Sequence, residues 1–441
     1  MKINIDGYAA EITDSLGKAG YEAYVVGGCV RDSVMGRTPE DWDVTTSAKP
    51  EEVIAVFGEK NTVATGLRHG TVTVIKGGKP YEVTTFRRDG EYSDFRHPEK
   101  VEFVSDLAED LKRRDFTVNA LAYSEKTGLI DLYGGLADIE SKTLRAVGDP
   151  EERFNEDALR ILRAARFSSV LGFGIESGTS AAMSKLCDNL KKVSAERVFT
   201  EICKLVRGKN ATAALMDCHD AIFAVIPELA PCYKFEQKSK WHRYDVYEHI
   251  ARAVGCAEGG LEVKLAMLLH DVGKPECFFV KDGEGHFYGH GEKSYEKARK
   301  ILRRLKASNA LFYETTLLVR LHDRPIKNDE RKIKRLLSEI GDETFLRLVA
   351  VKRADGLAQG TEIALEEVKG LKDIEKTYRL IKERGDCYTL SSLAVNGSDL
   401  AALGYRGEAI GKELSRLLSL VIDGAVENDR ERLIKISSKR I

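Results

Sequence analysis

The chain has 441 residues and eight cysteines (29, 187, 203, 218, 232, 256, 277 and 387), yet no Cys-x-x-Cys pair. That scatter excludes a zinc knuckle and a disulfide framework, and it fits a reducing, cytoplasmic setting. Each cysteine reads as a small buried hydrophobe. No apolar run approaches the roughly 20 residues of a membrane span, so no membrane role is expected. The opening MKINIDGYAAEITDSLGKAGYEAY carries acids early and has no unbroken apolar core, so it does not read as a secretory leader. A basic surplus is also missing: net charge is −1. Any nucleic-acid partner must then be held by a local basic surface, with acids elsewhere cancelling the sum. There is no repeat of fixed period and no low-complexity linker. What remains, 43% hydrophobic and 32% charged, is ordinary soluble composition. The length implies two to four domains.

Residues 1 to about 145 alternate short strand-like runs (YVVGG, DVTT, TVTVIKGG, YEVTTF, VEFV, LIDLYGG) with helical patterns, which predicts a mixed α/β domain. TVTVIKGGKPYEVTTF reads as two strands joined by a glycine turn. From about 150 the strand signals fade and helical periodicity takes over. Six of the nine histidines fall between His242 and His322, marking a separate histidine-rich unit.

The first chemical signal is YVVGGCVRDSVMGRTPEDWDVTT. If DWDVTT is a strand, Asp41 and Asp43 share one face and Trp42 points into the core. Paired carboxylates repel unless a cation neutralises them, and Mg²⁺ takes one or two carboxylates together with substrate phosphates. Upstream, Gly28 lets backbone approach a phosphate at a turn that opens a helix. Arg31 is a forked donor for the same phosphates. Glu82, on YEVTTF, is a candidate third carboxylate that activates an attacking hydroxyl.

At these residues the chain resembles the bacterial nucleotidyltransferases that add CCA to tRNA 3′ ends, a class that includes bacterial poly(A) polymerases. The resemblance continues in order through RRDGEYSDFRHPEKVEF (87–103), RRDFTVNALAY (113–123), LIDLYGGLADI, GDPEERFNEDALRILRAARF (148–167) and SAERVFTEICKLV. It implies an α+β nucleotidyltransferase head with a polymerase-beta-like mixed sheet (1–147). A helical neck (148–215), a helical body (216–365) and a helical tail for the tRNA acceptor arm (366–441) would follow. It also implies Mg²⁺ at Asp41 and Asp43, CTP and ATP as substrates, and nucleotide contacts from Arg114, Glu156, Asp157, Arg160, Arg163 and Arg166. The segment with Arg87, Arg88 and Arg96 is similar to a flexible loop whose presence favours complete CCA addition over CC addition. No obligate protein partner is implied.

The neck residues carry a reading of their own. Asp157 and Arg160 are three apart, hence neighbours if they share a helix. A carboxylate beside a guanidinium is an acceptor beside donors, the complement of the amino group and ring nitrogen of cytosine and adenine. Uracil and guanine present the opposite order, so the protein would act as the template. A salt-bridged helix face is the competing reading of the same arginines.

WHRYDVYEHI, LLHDVGKP, FYGHGEKS and RLHDRPI resemble an HD-type metal-dependent phosphohydrolase domain. Carried over, the ligands are His249, His270, Asp271 and Asp323, with His290 and His322 as weaker candidates. Imidazoles with carboxylates suit a divalent transition metal. The family implication is 2′,3′-cyclic phosphodiesterase or phosphatase action. Three alternatives stay open: a poly(A) polymerase or CC-adding enzyme, a phosphohydrolase with a nucleotide-sensing head, and a non-catalytic RNA-binding module.

Overall fold

Burial alternates along one strand near the middle of the first domain: Tyr81 and Val83 are buried while Glu82 is exposed. That period of two makes the strand a wall between a core and an open face. In the computed structural model, which describes residues 3–89 and 101–440, this strand belongs to a seven-stranded mixed sheet. Its members are β1 (Ala23–Val26), β2 (Val44–Thr46), β3 (Thr62–Gly66), β4 (Thr71–Lys76), β5 (Lys79–Thr85), β8 (Leu121–Ser124) and β9 (Gly128–Asp131), in the order β3-β4-β5-β2-β1-β8-β9. A separate small pair, β6 (Arg87–Asp89) and β7 (Val101–Phe103), is antiparallel. Arg96 of the expected loop lies outside the described residues. Within the large sheet β2 and β5 run parallel, with Val44 opposite Val83. The turn between β4 and β5 is Gly77-Gly78, both with positive φ. That two-residue geometry matches the strand twist and suits glycine.

One sheet face packs Val25, Val44, Val72, Val83 and Trp42 against the helices Gly7–Lys18 and Pro50–Phe57. Trp42 therefore does enter the core. The other face is covered in part by Tyr24, Val26, Phe86, Leu107 and Leu111. DWDVTT is shorter as a strand than expected: β2 begins at Val44, and Asp41 and Trp42 precede it. The Asp43 carbonyl still accepts the Val26 N–H at 3.0 Å, which extends the pairing back by one residue.

The chain divides into two compact units, Met1–Pro227 and Glu228–Ile441. The first continues past the sheet into helices. Asp149 caps Pro150–Glu156 by accepting the Glu152 N–H, with Pro150 at the first turn. Leu159–Leu171 follows and stops at Gly172, which is left-handed. Ala195–Arg207 packs beside it. The joint between these two is Ser169, whose Oγ donates to the Leu205 carbonyl at 2.7 Å.

The second unit is helical, built on Val246–Cys256, Leu261–Leu269, His290–Arg304, Asn309–Leu321, Glu330–Gln359 and Glu362–Glu383. Gly341, with φ +75°, kinks the long helix Glu330–Gln359. The expectation of helix alone past 150 is corrected at two places. Gly174–Ile175 pairs in parallel with Thr143–Leu144, and Phe279–Lys281 and Glu284–His286 form an antiparallel hairpin. Its turn, Asp282-Gly283, has positive φ at both residues, and Asp-Gly is the sequence signal for such a turn. All eight cysteines are free.

The Ser169 joint yields a stability prediction. A Cβ on Gly208 would fall 2.1 Å from Ser169 Oγ and 2.6 Å from its carbonyl carbon. Gly208→Ala should destabilise the first unit by about 1–3 kcal/mol through overpacking. Thermal denaturation checks it, with an unchanged melting curve as the contrary result.

Candidate functional site

The register of β2 against β5 sets the first site. Since Val44 lies opposite Val83, one residue back places Asp43 opposite Glu82, on parallel strands about 4.8 Å apart. Trp42 and Val44 point into the core, so Asp41 and Asp43 share the other face with Glu82. Asp43 feels this crowding. Its carboxyl is pushed up to about 6 by surrounding protein that strips part of its hydration and by the charges of Asp41 and Glu82, with Arg114 pulling the other way. The side chain is still open to solvent, which weakens the hydration part and leaves the like charges as the firmer cause. Three carboxylates gathered on one face are a donor set suited to a divalent cation. A cleft of about 660 Å³ borders Asp41 and Trp42 with Arg37 and Lys79 but does not include Asp43 or Glu82. It adjoins the site rather than containing it.

Beside the carboxylates is a glycine turn. Gly27 has φ +81° and precedes the helix Gly28–Val34. A Cβ there would sit 2.9 Å from Arg114 Nη1, so the guanidinium of Arg114 occupies the space that a side chain would fill. Arg114 is held 3.5 Å from the buried Asp110, and its Nε is buried with no hydrogen-bond partner among the described residues. Burial pushes the Asp110 carboxyl up, but Arg113 and Arg114 outweigh it and hold it below the usual range.

Arg31 departs from expectation. It is buried, donating to Asp32 through Nε and Nη2 at 2.9 Å and to Asn119 Oδ1 through Nη1 at 2.6 Å. Its Nη2 still lies 3.7 Å from where a Gly28 Cβ would stand, so Arg31 lines the turn with its donors already engaged by protein. Asn119 Nδ2 donates to Asp115, which also accepts from Arg163 at 2.8 Å. Burial opposes charge on Asp115, yet Arg163 and Asn119 hold its carboxyl well below the ordinary range. Arg31, Arg163 and Arg166 surround the Phe167 ring at 5.2, 5.5 and 3.7 Å. Arg166 also lies 2.8 Å from Glu201, an ion pair without hydrogen-bond alignment.

Asp157 and Arg160 do not form the helical pair expected of them. Asp157 adopts extended φ −136°, ψ 102° where the helix Pro150–Glu156 ends, because its side chain instead opens the next helix. Its Oδ1 accepts the Leu159 N–H at 3.0 Å, and its Oδ2 accepts from Arg197 at 2.8 Å. Arg160 is turned away, bonded to Glu156 at 2.6 Å and to the Arg113 carbonyl at 2.9 Å. The acceptor-beside-donor pair is therefore Asp157 with Arg197. Arg197 stands in SAERVFTE, four residues before the buried Glu201. No local spacing links it to position 157, so only the fold reveals the pair.

The second unit carries the histidine cluster. His270, His290 and His322 each place Nδ1 against the carbonyl three residues back, at 2.7–2.8 Å. A carbonyl only accepts, so Nδ1 carries a proton and Nε2 is left facing inward as the candidate ligand atom. His290 Nε2 and His322 Nε2 then face one another at 3.1 Å, and His249 Nε2 lies 3.0 Å from His270 Nε2. Asp271 sits between the pairs. Its Oδ2 is 3.3 and 3.2 Å from His249 and His270, and its Oδ1 is 3.4 and 3.6 Å from His290 and His322. Neither oxygen has an aligned hydrogen bond among the described residues. Lys274 Nζ lies 2.6 Å from Oδ2 as an ion pair. Imidazole nitrogens turned inward around a buried carboxylate that Lys274 only partly neutralises suit a bound cation, so the donor set fits a transition metal.

The expected fourth ligand needs correction. Asp323 is exposed and falls outside the groups whose donor atoms converge. Asp355 joins His249 and His270 instead, 3.1 Å from His249. The sequence did hold a signal. Asp355 interrupts an apolar helical stripe of Val351, Ala354 and Ala358, where a carboxylate needs a partner. His290 and His322, expected as weaker candidates, lie squarely in the cluster. Lys274, from the LLHDVGKP motif, was not anticipated. It is buried and also bonds Gln237 at 2.9 Å.

Comparison with known proteins follows this geometry. Residues 23–145 match the family described as "Poly A polymerase head domain", 172–232 match "Probable RNA and SrmB- binding site of polymerase A", and 290–436 match tRNA nucleotidyltransferase domain 2. The CCA-adding enzyme of Enterococcus faecalis is 34% identical over 98% of this chain and 95% of its own. That of Limosilactobacillus fermentum is 34% identical over 98% and 96%. Among solved structures, the Bacillus stearothermophilus CCA-adding enzyme in complex with CTP is 31% identical, covers 98% of this chain and 96% of its own, and superposes with a TM-score of 0.74. A Thermotoga maritima CCA-adding enzyme complexed with tRNA, at 21% identity and TM-score 0.62, shares the fold. With carboxylate cluster, glycine turn and neck in one order, and with relatives spanning nearly its whole length, the chain belongs to the family of CCA-adding enzymes.

Proposed function

We propose that the chain adds C, C and A to the 3′ end of tRNA, with CTP and ATP as donors and pyrophosphate as the leaving group. The observation that carries this is the Asp41–Asp43–Glu82 cluster across the β2–β5 register, beside the turn that Arg114 overlies. A divalent cation, Mg²⁺ in this reading, would be held by Asp41 and Asp43 and would supply charge neutralisation for the triphosphate. Arg114 and the backbone at Gly27 and Gly28 grip the phosphates. Arg31 acts through them as a buried support. Glu82 is placed to help draw the proton from the RNA 3′-hydroxyl as it attacks the α-phosphate. Catalysis is then mostly positioning and charge stabilisation. Asp157 with Arg197 reads the base edge. Arg160 with Glu156, and Arg163 and Arg166 around Phe167, brace that reading surface. Residues 1–147, 148–215, 216–365 and 366–441 serve as head, neck, body and tail, the last meeting the tRNA acceptor arm in the cytoplasm.

A second activity is favoured by the histidine cluster. His249, His270, Asp271 and Asp355, with His290 and His322 on the other side of Asp271, form an HD-type set in which one carboxylate is shared by two groups of ligands. A metal bound there would make water nucleophilic at neutral pH. We read the unit as a phosphohydrolase acting on phosphate esters of RNA ends.

Two outcomes are expected. A tRNA ending at its discriminator base should grow by C, C and A and then stop when given CTP, ATP and Mg²⁺. Asp41→Ala or Asp43→Ala should slow that addition at least about a hundredfold, the scale for losing one charge-stabilising group, while tRNA binding persists. A long A tail from ATP alone would instead make the chain a poly(A) polymerase.

Asp43 also gives a pH signature. Its raised folded pKa means its protonated form stabilises the fold, a contribution lost as pH rises from about 4 through about 6. In chelator at pH 7.5, Asp43→Asn should therefore melt higher than wild type, and the gap should close as pH falls toward 4. Equal melting at every pH would refute the crowding.

For the second unit, Asp271→Ala should strip bound transition metal, read by elemental analysis, and leave CCA addition intact. Full metal retention would show that the cluster is not the ligand set.

A further inference from the structure

One surface of the second unit displays aromatic rings to solvent. The hairpin Phe279–Lys281/Glu284–His286 buries little, yet it displays rings. Phe279 and His286 are cross-strand partners and stack at 5.4 Å with 29° between planes. Tyr288, two residues on, stacks on His286 at 5.4 Å with 25° between planes. Phe279 also meets Tyr288 at 5.4 Å. Tyr288 is 74% exposed and Phe279 40%. A two-stranded hairpin is marginally stable alone and gains little from rings turned to water, so the trio calls for an occupant.

The hairpin is fastened to the histidine cluster. The Gly285 N–H donates to the Lys238 carbonyl at 2.8 Å. The neighbouring Gln237 accepts from Lys274, which pairs with Asp271. Phe287, between His286 and Tyr288, gives its carbonyl to His290 Nδ1 at 2.8 Å. The inner rings Phe278 and Phe287 pack together at 5.4 Å and anchor the base. Lys281 stands on the hairpin opposite Glu284, Lys240 reaches Glu284 at 3.5 Å, and Lys274 lies 5.3 Å from the Phe287 ring centroid, so cations border the hairpin on the side of the cluster. Flat aromatic faces beside cations and a phosphate-directed cluster match a nucleobase, whose π-face stacks without sequence preference.

We propose that Phe279, His286 and Tyr288 form a stacking platform for the base of a nucleotide or RNA-terminal residue whose phosphate enters the histidine cluster. This rests on the phosphohydrolase reading and narrows its substrate class to base-bearing phosphate esters.

The test uses the full chain loaded with Mn²⁺, the double variant Phe279→Ala/Tyr288→Ala and the single variant Tyr288→Phe. Hydrolysis of adenosine 2′,3′-cyclic phosphate is compared with that of ribose 2,3-cyclic phosphate, which lacks a base. Binding of 2-aminopurine riboside 2′,3′-cyclic phosphate is followed by fluorescence quenching, which reports stacking apart from turnover. The double variant should raise KM for the adenosine ester and weaken the quenching ligand by about tenfold, the scale of one lost base stack. It should leave the ribose ester and CCA addition unchanged, and Tyr288→Phe should behave as wild type. Unchanged adenosine KM and quenching in the double variant would overturn the platform, as would an equal loss on both esters. If wild type hydrolyses neither ester, the phosphohydrolase reading fails, and the quenching difference still decides whether the rings stack a base.

Discussion

The parallel pairing of β2 with β5 is the constraint on which the head depends. Register fixes which side chains stand abreast, and a slip of one residue would turn every carboxylate to the opposite face. Trp42 and Val44 in the core hold that register. The repulsion among Asp41, Asp43 and Glu82 is thus not relieved by rearrangement. The sheet keeps the acids together, and the free energy of their crowding is available to whatever neutralises them.

The same logic recurs in the second unit with different atoms. There helix-borne histidines are locked by their own backbone carbonyls, which turns their Nε2 atoms toward one another around Asp271. In both places rigid secondary structure holds ionisable groups in contact. Arg114 and Lys274 each offset part of the carboxylate charge, and the fixed geometry leaves each cluster ordered enough to place a cation.

What could be read from the residues follows from how local each signal is. Asp41, Asp43 and Gly28 lie within one turn-and-strand segment, so their grouping was legible, and Glu82 joined them through a hairpin with its own glycine turn. His270 with Asp271 was equally local. Three of the site readings that changed depended on distance along the chain. Arg31 was expected at the phosphates, but its partner Asn119 is 88 residues away. Arg197 reaches Asp157 across 40 residues, and Asp355 replaces Asp323 because a kinked helix carries it back to His249. Helical spacing also misled at Asp157, since an aspartate that can satisfy the next helix's N–H tends to end a helix rather than continue it.

That helix break confines position 157 to one residue type. Its carboxylate closes the first turn of the following helix with one oxygen and grips Arg197 with the other. Asparagine would keep the short reach and the acceptor for Leu159 but lose the charge that Arg197 requires. Glutamate would keep the charge but place it one methylene too far out to close the turn. Mutational drift at this position therefore has no neutral neighbour to step through: the joint between two helices and the surface proposed to read the base can only change together.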